Sequence, residues 1–242
     1  MVGWLTLENR RGRRTELESA GVLGLRLLRA RVPAPGNLRE KVLLRRLDKA
    51  AALLARSGVR RVLAPPGFSN WDLLRTRGLR PVDPVPLYQA MAAPLALAEL
   101  ARLGVPPTSG TVALVGQRVD RPFFLAAQAL CPRVRTLILD APAGGEELSR
   151  YLRQEFGAAA LSAGAPLAAQ AVLCFSPRRA EEEGLHLCGP VPDLKGLSLS
   201  PAGFSLPEEP AGLPLLALLW EAGRIPLGEI QVIFSPGEQK LT

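Results

Sequence analysis

Apolar residues fall into two rhythms along this chain: short continuous runs, and longer stretches at helical spacing. Val2–Glu8 alternates enough to form a strand. A polar, Gly-containing turn over residues 9–14 follows, then a second apolar stretch, Val22–Val32, ending at Pro33. These predict a small β appendage over residues 1–36, closed by Pro33-Ala34-Pro35-Gly36. Asn37 reads as a helix N-cap, with Glu40 completing a capping box. Leu43, Leu47, Ala50 and Leu54 then recur at helical spacing until Gly58 ends the helix. Val59–Ala64 and Leu79–Val82 read as short strands, with a short helix at Trp71–Arg77 between them. A helix from Pro84 to Gly104 is expected to kink at Pro94, which removes one backbone donor and crowds the preceding turn. Residues 37–110 are expected to form a smaller α/β lobe.

Residues 111–180 carry the clearest pattern. Thr111–Val115 is a continuous apolar run ending at Gly116. Asp120 is a plausible N-cap, Pro122 suits a first turn, and Phe123–Leu130 continues the helix. Val134–Leu139 is a second run ending at Asp140, and Gly144-Gly145-Glu146-Glu147 opens a helix closed by Gly157. Ala158–Leu161 and Ala171–Phe175 are further strand candidates. Continuous apolar strands alternating with amphipathic helices predict an α/β fold, a mainly parallel sheet with helices on both faces. Right-handed crossovers then bring the loops after Ala64, Gly116, Asp140 and Phe175 to one sheet edge. Residues 181–242 change character. They form a Pro/Gly-rich α+β extension with short strands at Leu185–Cys188, Leu197–Ser200, Phe204–Leu206 and Ile230–Phe234, and a helix at Leu215–Trp220.

Charge changes the picture next. The 242 residues carry 30 Lys+Arg against 22 Asp+Glu. The excess is local: residues 1–80 hold 18 basic and 6 acidic side chains, whereas residues 81–242 hold 12 and 16. Arg10, Arg11, Arg13 and Arg14 cluster on the first turn, and Arg39, Lys41, Arg45, Arg46 and Lys49 lie on the first helix. Such cations suit phosphate contact. Base stacking would want interleaved aromatics, and only Trp4 is near. A protein partner with an acidic surface, or the acidic remainder of the chain, explains the patch more simply. The Arg preference, 26 against 4 Lys, accompanies abundant Ala, Leu, Gly and Pro, as a GC-rich coding bias produces. The four N-terminal arginines follow the short apolar start instead of preceding it, unlike a signal peptide. The uncharged stretch 156–177 is Ala-rich and broken by Gly164 and Pro166, so strand, loop and strand are expected there, and no membrane span. A cytoplasmic location with reduced Cys131, Cys174 and Cys188 follows as an expectation.

The block over residues 111–176 resembles the dinucleotide-binding half of the Rossmann-like superfamily. The resemblance is carried by Thr-Val-Ala-Leu-Val-Gly, the helix after it, and Leu-Ile-Leu-Asp ending the next strand. The lead-in helix Tyr88–Leu103 is similar to that of several two-domain oxidoreductases. The resemblance implies a nucleotide, NAD(P) for instance, with Asp140, 24 residues after Gly116, on the adenosine ribose. The fingerprint itself is degenerate. Where its second and third glycines belong stand Arg118 and Arg121, whose side chains obstruct close backbone approach but suit a phosphate contact.

Other chemistries are thin. His186-Leu187-Cys188 with Cys174 offers three ligand types without paired Cys-x-x-Cys spacing, so no metal is expected. No Ser sits in a G-x-S-x-G elbow, and a single His must serve any triad. Cys131 lies at a helix C-terminus, where the dipole disfavours a thiolate. Glu181-Glu182-Glu183 after Arg178-Arg179 reads as a self-compensating loop. No catalytic residue is assigned. The expectation is a non-catalytic accessory or interaction protein with a degenerate nucleotide loop. Two alternatives stand beside it: an enzyme or sensor binding a nucleotide through Gly116, Arg118, Arg121 and Asp140, and a nucleic-acid-associated protein using Arg10, Arg11, Arg13 and Arg14.

Overall fold

The structure, a computed structural model, describes residues 1–12, 14–157, 160–162, 168–177, 184–189, 192–207, 210 and 212–234. Two compact units divide the chain: residues 1–83 with 203–226, and residues 84–202 with 227–242.

In the first unit, β1 (Val2–Glu8), β2 (Glu16–Val22), β3 (Leu25–Pro33), β4 (Arg61–Leu63) and β5 (Arg80–Pro81) form a sheet of order β2-β3-β1-β4-β5. The N-terminal strands, expected as an appendage, are part of this sheet, and β1 is its central strand. All pairings are parallel except the β2–β3 hairpin. That hairpin turns on Leu23 and Gly24, with φ of 46° and 78°. Two successive positive φ values define a two-residue type I′ turn, which suits Gly but strains Leu. The helices α1 (Glu40–Arg56) and α2 (Trp71–Arg75) follow β3 and β4. On α1, Leu47, Ala50, Ala51 and Leu54 are buried in one cluster with Leu5, Ala30, Val32 and Val62 of the sheet. Each such leucine contributes about 1.5–3 kcal/mol through burial. The expected capping box is absent: α1 starts at Glu40 behind Arg39, with no side-chain cap. Asn37 instead lies in a turn where the Leu38 N–H donates to the Pro35 carbonyl, 2.9 Å.

The second unit opens with α3 (Val85–Ala90) and α4 (Ala92–Arg102). The kink expected from Pro94 is a full break at Met91, between the two helices. Then come β6 (Thr111–Val115), α5 (Arg121–Leu130), β7 (Thr136–Asp140), α6 (Gly145–Phe156), β8 (Ala160–Ser162), β9 (Ala171–Cys174) and β10 (Leu185–His186). Their sheet is parallel throughout, in the order β10-β9-β6-β7-β8. The chain leaves central β6 through α5 and α6 to β7 and β8. It then returns to lay β9 on the other side of β6. Strand order therefore reverses between β6 and β9, the doubly wound order of Rossmann-like folds. Val112, Leu114, Leu137, Leu139 and Leu173 are essentially inaccessible and supply the core. The chain continues as β11 (Leu197–Pro201), then α7 (Leu213–Glu221) of the first unit, then β12 (Ile230–Phe234), antiparallel to β11. The expected strand at Phe204–Leu206 is irregular backbone. The loop after Ala64 belongs to the first sheet, so only those after Gly116, Asp140 and Phe175 share an edge. No helix among the described residues is long and apolar enough to cross a membrane.

Candidate functional sites

In open α/β sheets, ligands sit outside the carboxyl ends of strands where the order reverses. In the second unit that place is the edge between β6 and β9. The β6 chain leaves it through residues 116–121. A phosphate cradle needs outward backbone N–H groups at this point. Here several are already engaged. The Gly116 N–H donates to the Asp140 carbonyl at 2.9 Å, and the Val119 N–H to the Ala143 carbonyl at 2.8 Å. Arg118 and Ala143 form a parallel β-bridge, so the loops after β6 and β7 zip together beyond the sheet. Asp120 caps α5 as its sequence position predicts, its Oδ1 accepting from the Phe123 N–H at 3.1 Å. Gly144 completes the arrangement. Its φ is +92°, and a Cβ there would meet the Val119 side chain at 3.2 Å. It precedes α6, whose first turn carries Glu146 and Glu147.

Two aromatic side chains pack together beside the reversal. Phe123 is fully buried and its ring lies 5.2 Å from Phe175, tilted by 53°. A Cβ placed on Gly116 would touch the edge of the Phe123 ring at 3.4 Å. The Phe175 N–H donates to the Val115 carbonyl at 2.8 Å, which holds that ring at the β9 end of the same edge. Arg118 and Arg121 are exposed, Gly116 is buried, and Asp140 is half-buried at the end of β7. The four residues expected to bind a nucleotide thus lie on one sheet edge, with the two guanidiniums in solvent. Sequence reasoning missed Phe123 and Phe175. The readable signal was an aromatic right after Pro122 in the first turn, and another just past the following inner strand.

Of the thiols and the imidazole, Cys174 and His186 are brought side by side. Among the described residues, no group of three His, Cys, Asp or Glu side chains is placed to hold a metal. His186 and Cys174 are register partners on β10 and β9, and the His186 N–H donates to the Asp193 carbonyl at 2.8 Å. Burial pushes the Cys131 and Cys188 thiols up from their ordinary value, which disfavours the nucleophilic thiolate.

The basic N-terminal residues divide into two sets. The register aligns Trp4 and Thr6 with Arg29 and Arg31, and these with Glu18 and Glu16, on the sheet face opposite α1, with Glu8 next along β1 on the same face. Arg29 stacks 4.1 Å above the Trp4 ring, and the Arg31 Nε meets Glu8 at 2.5 Å. Arg10 joins them, 2.7 Å from Glu8 and 3.0 Å from Glu16. The hydrogen bond from Arg31 holds the Glu8 carboxyl below its ordinary range. Trp4 is buried at 7% exposure beneath this network, which removes it as a stacking platform for a base. Arg46 is also engaged, on the Pro33 carbonyl. Arg11, Arg14, Lys41, Arg45 and Lys49 form the other set and are exposed. Arg13 lies outside the described residues. Lys41, Arg45 and Lys49 are four residues apart on α1 and share one stripe. At the end of that stripe Lys49 and Leu53 face Arg14, Thr15, Glu16 and Leu17 across a shallow groove of about 690 Å³.

These observations define a class: a two-unit α/β protein with a Rossmann-like parallel sheet. Beyond the class, no protein-family model matches the chain and no curated protein matches it. Among solved structures, a crystal structure of L-tryptophan dehydrogenase from Nostoc punctiforme aligns at a TM-score of 0.30 and 13% identity, over 61% of this chain and 44% of that one. The matched region is therefore less than half of that enzyme's length. The class rests on strand order, not on this alignment.

Proposed function

We propose that this chain is a non-catalytic Rossmann-like protein that works by contacting a protein partner. One observation carries the reading: three amides at the place where a phosphate would be cradled already donate within the unit. Gly116 and Val119 in the loop and Phe123 in the first turn of α5 donate within the unit, and the buried Phe123 ring packs on Phe175 beside Gly116. A nucleotide drawing on those amides would have to break their bonds, each at a cost of order 1 kcal/mol. The exposed stripe of the first unit supplies a contact surface in its place. A thermal-shift panel of NAD, NADP, S-adenosylmethionine and ATP tests the proposal. Ligand at about 100 times its dissociation constant would add roughly 2.7 kcal/mol of stability. No shift is expected at millimolar ligand. A saturable shift that Arg118→Ala and Arg121→Ala abolish would overturn the reading in favour of a nucleotide-binding enzyme or sensor.

A further inference from the structure

The first sheet ends on β2. Among the described residues β2 is its outermost member and has β3 as its one strand partner, with Ser205 and Pro207 near its Ala20–Val22 end. The hairpin fixes which backbone groups stay unpaired. In a two-residue type I′ hairpin the flanking residues, here Val22 and Leu25, exchange both hydrogen bonds. Hydrogen-bonded pairs then alternate, so Ala20, Glu18 and Glu16 bond inward to β3. Leu17, Ser19 and Gly21 turn their N–H and C=O groups outward. Natural edges are usually blunted by charge. Here Glu16 and Glu18 are already compensated by Arg10, Arg29 and Arg31 on the polar face. The groove beside the edge is lined by Arg14 and Lys49, by the compensated Glu16, and by the apolar Leu17 and Leu53.

We infer that an extended, acidic peptide segment of a partner protein adds to the free edge of β2, resting on the reading above that this chain works by partner contact. Backbone bonding to Leu17, Ser19 and Gly21 would supply generic affinity. Alternate side chains would enter the groove, carboxylates toward Arg14 and Lys49 and an apolar group between Leu17 and Leu53. A second copy of this chain fits poorly. Antiparallel self-pairing centred on Ser19 sets Arg14 opposite Gly24, where the Arg224 guanidinium lies within 3.8 Å of the Cβ position. Like charges would meet there. Single-stranded nucleic acid would use the cations but neither the strand edge nor the leucines.

The test is selection of a displayed random 12-residue peptide library on the full chain, followed by anisotropy titration of the enriched peptides. Two variants separate the causes. Ser19→Pro removes an outward N–H at an edge position where proline is tolerated. Arg14→Glu with Lys49→Glu reverses two exposed charges. The expected peptides alternate Asp or Glu with β-branched residues. They bind either variant about tenfold more weakly, as two surface charge contacts or one lost backbone bond with its local disruption imply. No enrichment, or peptides indifferent to Ser19→Pro, would overturn the inference. So would a 12-nucleotide RNA bound equally by wild type and Ser19→Pro but lost in the charge-reversed protein. A failed selection beside an unshifted nucleotide panel removes this inference alone, whereas a nucleotide shift removes the reading beneath it.

Discussion

Replacing Phe123 with Ala tests how firmly the strand-reversal edge is filled. The side chain is fully buried, pairs with Phe175 at 5.2 Å, and lies against Gly116. Truncating such a phenylalanine costs about 3–5 kcal/mol. Roughly 0.5–1.5 kcal/mol of that is the ring pair. Phe123→Leu keeps most of the volume and should cost less than about 1.5 kcal/mol. Trp4, Trp71 and Trp220 all lie in the first unit, so tryptophan fluorescence is blind to the second. Hydrogen exchange by mass spectrometry on peptides spanning 111–140 reads the right region. At 1.36 kcal/mol per decade the loss is roughly 10² to 5 × 10³-fold in protection. Phe123→Leu should lose tenfold or less. If Phe123→Ala leaves exchange within about threefold of wild type, the ring is not packed, the edge is open, and the argument against a nucleotide fails.

Three further outcomes follow. Asp120→Ala removes the side-chain acceptor of the Phe123 N–H and should cost about 1 kcal/mol, read as faster exchange at the start of α5. Leu23→Asn relieves a non-glycine residue held at φ 46° and should stabilise the first unit by about 0.5–1 kcal/mol, seen as a higher urea midpoint in tryptophan fluorescence. Glu8 has a folded pKa below the ordinary 4.5, so its contribution is complete above that value and is lost as pH falls through the lower folded one. Glu8→Gln should therefore weaken the first unit at neutral pH and flatten its loss of stability below pH 4.5. An unchanged acid limb in that variant would contradict the assignment.

What the residues disclose unaided depends on how local the determinant is. Thr111–Val115 and Ile230–Phe234 stand where their apolar runs place them; the first is a buried strand, as such a run suits, whereas only Ile230 of the second is buried. Asp120 caps and Gly157 terminates as their positions predict, since both act within one helical turn. β2 escaped notice because Glu-Leu-Glu-Ser-Ala-Gly-Val has little β-branched content. Its glutamates are satisfied by arginines 11 to 15 residues away on β3. Leu23 carries no turn signature, so the hairpin was hidden behind it. Asn37 has cap chemistry, yet the helix starts three residues later after a Pro35 turn. The division into two sheets is a matter of long-range pairing that no local pattern encodes. Gly116, Arg118, Arg121 and Asp140 were legible as neighbours on one edge. The pairing around that edge was not, since it depends on Ala143 bridging to Arg118 and on Phe175 packing on Phe123, contacts between different strands and a helix.

Residue-resolved amide exchange of the loop tests the central claim most directly. With the backbone assigned by NMR, Gly116, Val119 and Phe123 should be protected in the free protein, because their N–H groups donate to Asp140, Ala143 and Asp120. Their exchange rates and chemical shifts should not move with millimolar NAD. Fast exchange in the free protein, with protection arising only when NAD is added, would mean that the loop is a waiting phosphate cradle and that this account of the protein is wrong.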